Sequence, residues 1–233
     1  MRVLAVGAHP DDLEILCAGT LARYTERGDT VFMAVSTDGA GGSTTLPERE
    51  ISRIRQAEAR ASAAVIGAQP VWLGYPERRL YDNDGTRQRY IELVREARPD
   101  VIITHDPVND YHPDHLATGQ ILWSIRVMVV QQNIPTQHPP LEAIPDLYFM
   151  DTIAGINFTP QTYVDISATM ALKRQMLSAH QSQLELMRER YGLTLLEFME
   201  IGSAFRGLQA SVRFAEAFRQ STTFPAVYHN RLP

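Results

Sequence analysis

Two short clusters hold most of the residues whose types could do chemistry: Ala8-His9-Pro10-Asp11-Asp12-Leu13-Glu14 near the N-terminus, and His112-Pro113-Asp114-His115 far along the chain. His9, Asp12 and His115 together offer two imidazoles and one carboxylate. A three-donor set of this kind leaves coordination positions for water and substrate, the open pattern of catalytic zinc, although facial His/His/carboxylate sets also hold ferrous iron. Asp11 stands beside Asp12, and one carboxylate cannot easily be both ligand and free base, so Asp11 is the candidate general base. His112 lies three residues before His115 and would point the same way on a first helical turn. It is the candidate to stabilise an oxyanion or protonate a leaving amine, with Asp114 holding its ring. The bland alternative is that His-Pro and Asp-Asp pairs are loop residues and that Asp merely caps a helix.

The flanking pattern places these clusters. Residues 3–8 form a continuous small-apolar run, as in a strand covered on both faces. A loop with the first cluster follows, then a helix over 19–27 stopped by Gly28. Further strands are expected at 30–37, 71–75, 100–105, 147–153 and 162–166, and helices at 48–66, 88–97, 116–130 and 170–190. Pro47 suits a first helical turn. Residues 133–145 are Pro-rich and read as surface loop, 212–218 as an amphipathic stretch, and 225–233 as an irregular end. Strands alternating with helices predict βαβ units and one α/β, Rossmann-like domain with a mostly parallel sheet flanked by helices. Both clusters directly follow buried strands, where open α/β sheets bind ligands.

With 233 residues the chain can bury one large core, and its hydrophobic fraction of 44% and charged fraction of 21% are those of an ordinary globular protein. The net charge is −5 with basic residues dispersed among acidic ones, which leaves no nucleic-acid footprint. Cys17 is the sole cysteine, so no internal disulfide is possible and a reducing, cytoplasmic setting is expected. No apolar run reaches the roughly 18 residues needed to span a bilayer. The apolar N-terminal run meets polar residues too soon for a secretion signal.

The paired clusters resemble the PIG-L/LmbE-like deacetylases, zinc enzymes that remove acetyl groups from N-acetylglucosaminyl compounds. The resemblance is clearest over the first half of the chain. Tyr163-Val164-Asp165-Ile166, Lys173 and Ala179-His180-Gln181-Ser182-Gln183 are similar to the bacterial bacillithiol-type branch. The resemblance implies His9, Asp12 and His115 as zinc ligands, Asp11 as general base, and His112 as oxyanion or acid residue with Asp114 behind it. It alone selects zinc, amide and sugar. Two departures stand out: Cys17-Ala18-Gly19-Thr20 keeps only the last Gly-Thr of the family's Gly-Gly-Thr, and Asp110 occupies the mycothiol-type tyrosine position, with Tyr111 next to His112.

Secondary candidates surround this core set. Arg55, in Arg55-Gln56-Ala57-Glu58, matches an Arg-x-x-Glu pattern near the sugar in the family; the alternative is an intrahelical ion pair with Glu58. Arg53 is a weaker version of the same idea. Tyr111 is the other candidate for substrate contact. The glycine-rich loop after Asp38 could be a lid or a plain turn, and its glycines do not match a dinucleotide fingerprint. His180 and Gln183 could line the cleft or pack structurally, and His105 with Asp106 could support the second cluster from behind. Cys17 and the Met170–Met187 methionines read as packing.

The resemblance therefore implies a zinc-dependent hydrolase, with iron as the other metal, that removes the N-acetyl group from a small N-acetylglucosaminyl compound, while charge and hydropathy point to neither nucleic acid nor membrane as partner. The rival readings are an amidase for a larger acyl or thiol-conjugate amide, and a non-catalytic metal-binding module. Homo-oligomerisation and the aglycone are left open.

Overall fold

Continuous β-branched and small apolar runs form the central strands, because a strand covered on both faces needs no polar alternation. In the computed structural model, residues 1–225 and 229–233 are described, without the side chains of Glu185 and Arg190. Part of the expected irregular end, 226–228, therefore lies outside the described residues. The strands are β1 (Arg2–Gly7), β2 (Thr30–Thr37), β3 (Gln69–Tyr75), β4 (Val101–Thr104), β5 (Asp146–Met150), β6 (Thr162–Asp165) and β7 (Ala215–Gln220). They make one sheet in the order β3-β2-β1-β4-β5-β7-β6. β1 to β5 are parallel, with Val3 facing Val31 on one side and Val101 on the other; β7 runs antiparallel between β5 and β6.

The helices are α1 (Asp12–Leu16), α2 (Ala18–Glu26), α3 (Glu48–Val65), α4 (Asp84–Ala97), α5 (Pro113–Ile125), α6 (Met170–Ser178), α7 (Gln181–Tyr191) and α8 (Leu195–Ala210). Val3 and Ala5 point to one face of β1, under Leu13, Leu21, Ala63, Leu177 and Met199; Leu4 and Val6 point to the other, under Ile91, Ile121 and Leu122. α1, α2, α3, α6 and α8 thus cover one side, α4 and α5 the other. This is the expected α/β sandwich.

Four expectations change. The first cluster is not all loop: α1 opens at Asp12, which puts that carboxylate on a helical turn. The helix expected over 170–190 is two helices, because His180 leaves helical geometry at φ −85°, ψ 58°. Its ring is buried against Glu14, Nε2 to Oε1 3.1 Å, and Glu58 accepts from the Ser182 amide at 2.8 Å. α8 was not anticipated, although Thr194 and Glu197 form a reciprocal capping box before an apolar run. The amphipathic stretch at 212–218 contributes to β7, an inner strand rather than a tail.

Boundaries elsewhere shift by a few residues. α4 begins at Asp84 through an Asn83–Thr86 capping box, α5 ends at Ile125 before a 3-10 turn at Met128–Val130, and β5 ends at Met150. Gly19 and Gly119 are among the glycines that close packing requires. A Cβ at Gly19 would lie 2.7 Å from Ile166, and one at Gly119 would lie 2.5 Å from the His105 carbonyl oxygen. The retained Gly19-Thr20 pair also donates both amides to the Glu216 carboxylate, at 2.9 and 2.7 Å.

Candidate metal centre

The chain runs outward from β1 through β2 to β3, then returns to place β4 on the other flank of β1. That reversal is the topological switch point, where neighbouring strand ends diverge and leave a crevice. The first cluster leaves β1 and the second follows β4, so both open into the same crevice. Asp11 turns the chain there with φ 118°, a strained conformation for a residue with a Cβ.

Three side chains converge. His9 Nδ1 lies 3.1 Å from His115 Nε2; Asp12 offers Oδ2 at 3.4 Å from His9 Nδ1 and Oδ1 at 3.3 Å from His115 Nε2. Ligands held about 2.1 Å from a tetrahedral ion stand roughly 3.4 Å apart, so this spacing suits a metal. All three residues are buried. The outer ring atoms are held by carboxylates, His9 Nε2 by Asp114 Oδ2 at 3.2 Å and His115 Nδ1 by Asp110 Oδ2 at 2.9 Å. This arrangement aims each inner nitrogen's lone pair at the centre.

The electrostatics ask for a cation. Burial opposes charging His9 and His115, yet Asp12 and the carboxylate hydrogen bonds raise them to about 9 and about 10. Burial likewise works against the Asp12 carboxylate, but His115, His105 and His9 hold it well below the usual range. A cluster that binds protons this tightly has the donor chemistry for a divalent ion, and the residues fit one.

Two overlapping groups bring candidate donor atoms within 4.8 Å of one another: His9, His112 and His115, and Asp12, His105 and His115. His105 Nε2 lies 2.9 Å from the Ala8 amide and 3.1 Å from Asp12 Oδ2, so it is already engaged on two sides, and burial with His115 nearby lowers its pKa to about 4. It is a neutral ring stacked 4.0 Å from His115. His112 Nδ1 accepts from the Asp114 amide at 3.2 Å. Neutral His112 therefore carries its proton on Nε2, and burial lowers its pKa.

The Asp114 expectation needs correction. Its carboxylate grips His9, not His112, and also accepts from the Arg78 amide at 2.7 Å; only its backbone orients His112. Arg55 is not paired with Glu58, which instead binds Ser182. Its guanidinium is buried and donates to Pro10 O at 2.6 Å, Gly39 O at 3.1 Å and Asp11 Oδ2 at 3.2 Å. Burial raises Asp11 to about 6, while Arg55 pulls the other way. Tyr111 is 70% exposed at the cleft mouth, its ring 6.3 Å from that of His112.

Gln183 fastens the glycine loop, donating to Gly42 O at 3.0 Å, so that loop is tied down. His180 is wholly buried behind the site. Asp106 is held by Arg219 at 2.6 Å and serves the loop, not the cluster. Asp110 was missed as a contributor; its signal was an acidic residue at the loop's end, five before His115. The cleft over these groups has a volume of about 570 Å³.

A family model described as "PIG-L: GlcNAc-PI de-N-acetylase" matches residues 4–126, just over half of the chain. The chain belongs to the PIG-L family. Similar proteins include a "Diacetylchitobiose deacetylase" of Thermococcus kodakarensis, 26% identical over 78% of this chain and 70% of that protein. A "Probable N-acetyl-alpha-D-glucosaminyl L-malate deacetylase 2" of Bacillus cereus is 29% identical over 81% of this chain and 86% of that protein. The solved N,N'-diacetylchitobiose deacetylase of Pyrococcus horikoshii superposes with a TM-score of 0.83 at 27% identity, covering 94% of this chain and 83% of that one. The PIG-L match spans both clusters and ends one residue past α5.

Proposed function

We propose that the protein is a metal-dependent hydrolase that removes the N-acetyl group from an N-acetylglucosaminyl compound. The observation that carries this reading is the convergence of His9, Asp12 and His115 beside Asp11, whose carboxyl belongs to no ligand pair. His9, Asp12 and His115 would hold the ion, for which we favour zinc over ferrous iron. Bound there, zinc would polarise the acetyl carbonyl and lower the pKa of water to about 7.

The remaining chemistry falls to the protein. Asp11 takes the proton of the attacking water, and a carboxyl raised to about 6 is well matched to that task near neutrality. His112 Nε2–H donates a hydrogen bond to the carbonyl oxygen as it gains negative charge. The carbon–nitrogen bond then breaks, Asp11 returns its proton to the departing amine, and acetate leaves. Arg55 keeps Asp11 aimed, and Tyr111 closes on the sugar at the cleft mouth. Asp110 and Asp114 fix the two ligand rings.

The substrate is a small amino-sugar. No helix among the described residues is long and apolar enough to cross a membrane. We place the activity in the cytoplasm, consistent with the single, buried Cys17. Amine release from N-acetylglucosamine and its malate, inositol and chitobiose derivatives tests the reading. Turnover of any of them supports it; inertness toward all, with metal bound one to one, refutes it in favour of a larger amide or a non-catalytic module.

A further inference from the structure

A second cavity of about 460 Å³ opens along the same sheet edge, beside the ends of β5 and β7 and under α8. It is not the metal cleft, but the two share Ile15, Leu193 and Phe198 as a common wall. α1 connects them directly: Asp12 and Ile15 face the metal cleft, Ile15 and Leu16 the second cavity. Its size falls within the range of small-molecule sites.

The floor of this cavity holds four charges, and they cancel. Lys173 Nζ meets Glu216 Oε1 at 2.5 Å, and Arg206 grips both oxygens of Asp151 at 2.6 and 3.0 Å. Glu216 is further occupied by the Gly19 and Thr20 amides, and Asp151 by the Thr152 amide. No net charge remains to attract an ionic ligand, and desolvating these pairs for one would be costly. The walls are apolar, supplied by Ile15, Phe198 and Met199, with Ile201 and Phe205 at the rim, 58% and 50% exposed.

We propose that this cavity is a subsite for an uncharged hydrocarbon arm of the substrate, reached from the metal cleft over Ile15 and Phe198. The inference rests on the hydrolase reading above and extends it: the substrate is an N-acylglucosamine carrying an apolar chain. Attached at the glycosidic oxygen, such a chain leaves the N-acetyl reading whole; as the acyl group itself, it would keep the metal-site hydrolysis but replace acetyl by a longer acyl. The chemistry recognised is the same in both cases, and the experiment separates them.

Gly202 provides the perturbation. It lines the second cavity, not the metal cleft, and a Cβ placed on it meets nothing within 4 Å. Gly202→Phe would project a ring from the middle of α8, where replacing glycine does not disfavour the helix. Gly202→Ala controls for the backbone.

The test measures kcat/KM for methyl, butyl and hexyl N-acetylglucosaminides, and separately for N-acetyl-, N-butyryl- and N-hexanoylglucosamine. Burying a methylene predicts a gain of roughly threefold to fourfold per carbon in one series. Gly202→Phe should abolish that gain and leave the shortest substrate unchanged, while Gly202→Ala keeps it. Flat profiles in both series, or a gain untouched by Gly202→Phe, would overturn the proposal. Calorimetric binding of hexyl against methyl N-acetylglucosaminide to the metal-free protein gives a readout independent of turnover. Tighter hexyl binding lost in Gly202→Phe supports the subsite even if no amine is released, an outcome that sinks only the hydrolase reading; equal binding sinks the glycosidic arm. If Gly202→Phe does not fold, the two chain-length series on the unaltered protein decide.

Discussion

Replacing Asp110 by asparagine should cripple metal binding while leaving the fold intact, and the reason lies in which atom each oxygen serves. Asp110 Oδ1 accepts from the Tyr111 and His112 amides at 2.7 and 3.1 Å, and Oδ2 accepts from His115 Nδ1 at 2.9 Å. Asparagine must keep its oxygen toward the two amides, because turning its NH₂ there would set donors against donors. Its NH₂ then faces His115 Nδ1, which can respond only as an acceptor. The imidazole proton moves to Nε2, into the position where a lone pair is needed for the ion. Loss of a carboxylate behind a ligating histidine typically costs 10–100-fold in metal affinity, about 1.4–2.8 kcal/mol. Chelator competition on the purified Asp110→Asn protein measures it, with circular dichroism confirming the fold. Unchanged metal affinity in a folded Asp110→Asn protein would refute the reasoning that the outer ring nitrogens set the site.

Other expectations follow from the same geometry. Arg55→Met removes the positive charge that opposes burial at Asp11, so the Asp11 pKa rises above about 6 and the acid limb of the rate profile moves to higher pH. An unmoved limb in kcat/KM against pH would count against Asp11 as the base. Gly119→Ala sets a methyl 2.5 Å from the backbone carbonyl oxygen of His105 and should cost about 1–3 kcal/mol, read as a lower urea midpoint. Burial works against both members of the Glu14–His180 pair, but their attraction lowers Glu14 from 4.5 and raises His180 from 6.5. Glu14 therefore contributes stability above about pH 4.5 that fades as pH falls through its folded value, and His180 contributes below about pH 6.5 and fades as pH rises through its own. The pair's support peaks between those limits. His180→Gln should cost about 1–3 kcal/mol there, because Glu14 keeps the Ser62 hydroxyl but loses its cationic partner, and Glu14→Gln/His180→Gln less, as denaturant titrations at several pH values would show.

Much of the site could be read in the chain because its chemistry is local. His9, Asp11 and Asp12 are near neighbours, as are His112 and His115, and each cluster follows a strand whose buried pattern is unambiguous. The parallel strands β1, β2 and β4 are legible for the same reason. What escaped notice depends on distant contacts. Whether Asp114 turns to His112 or His9 depends on the register of β1 against β4, which no spacing within the second cluster encodes. Asp110 was hidden because its role comes from a loop fold, not a periodicity. The break at His180 arises from a buried partner, Glu14, on another helix. β7 reads as an amphipathic tail until β5 and β6 close on both its edges. α8 is different: Thr194 and Glu197 carried a local capping signal that could have been read.

The most direct test of the account concerns Asp11→Asn, which preserves shape and removes only the base. Metal content and amine release should be measured together on the metal-stripped protein reloaded with zinc, using an N-acetylglucosaminyl substrate that the unaltered protein turns over. The account predicts full zinc binding by Asp11→Asn, since Asp11 is no ligand, with kcat lower by at least about 100-fold. Near-normal turnover would contradict Asp11 as the proton acceptor, and loss of zinc with activity would contradict the division between ligands and base.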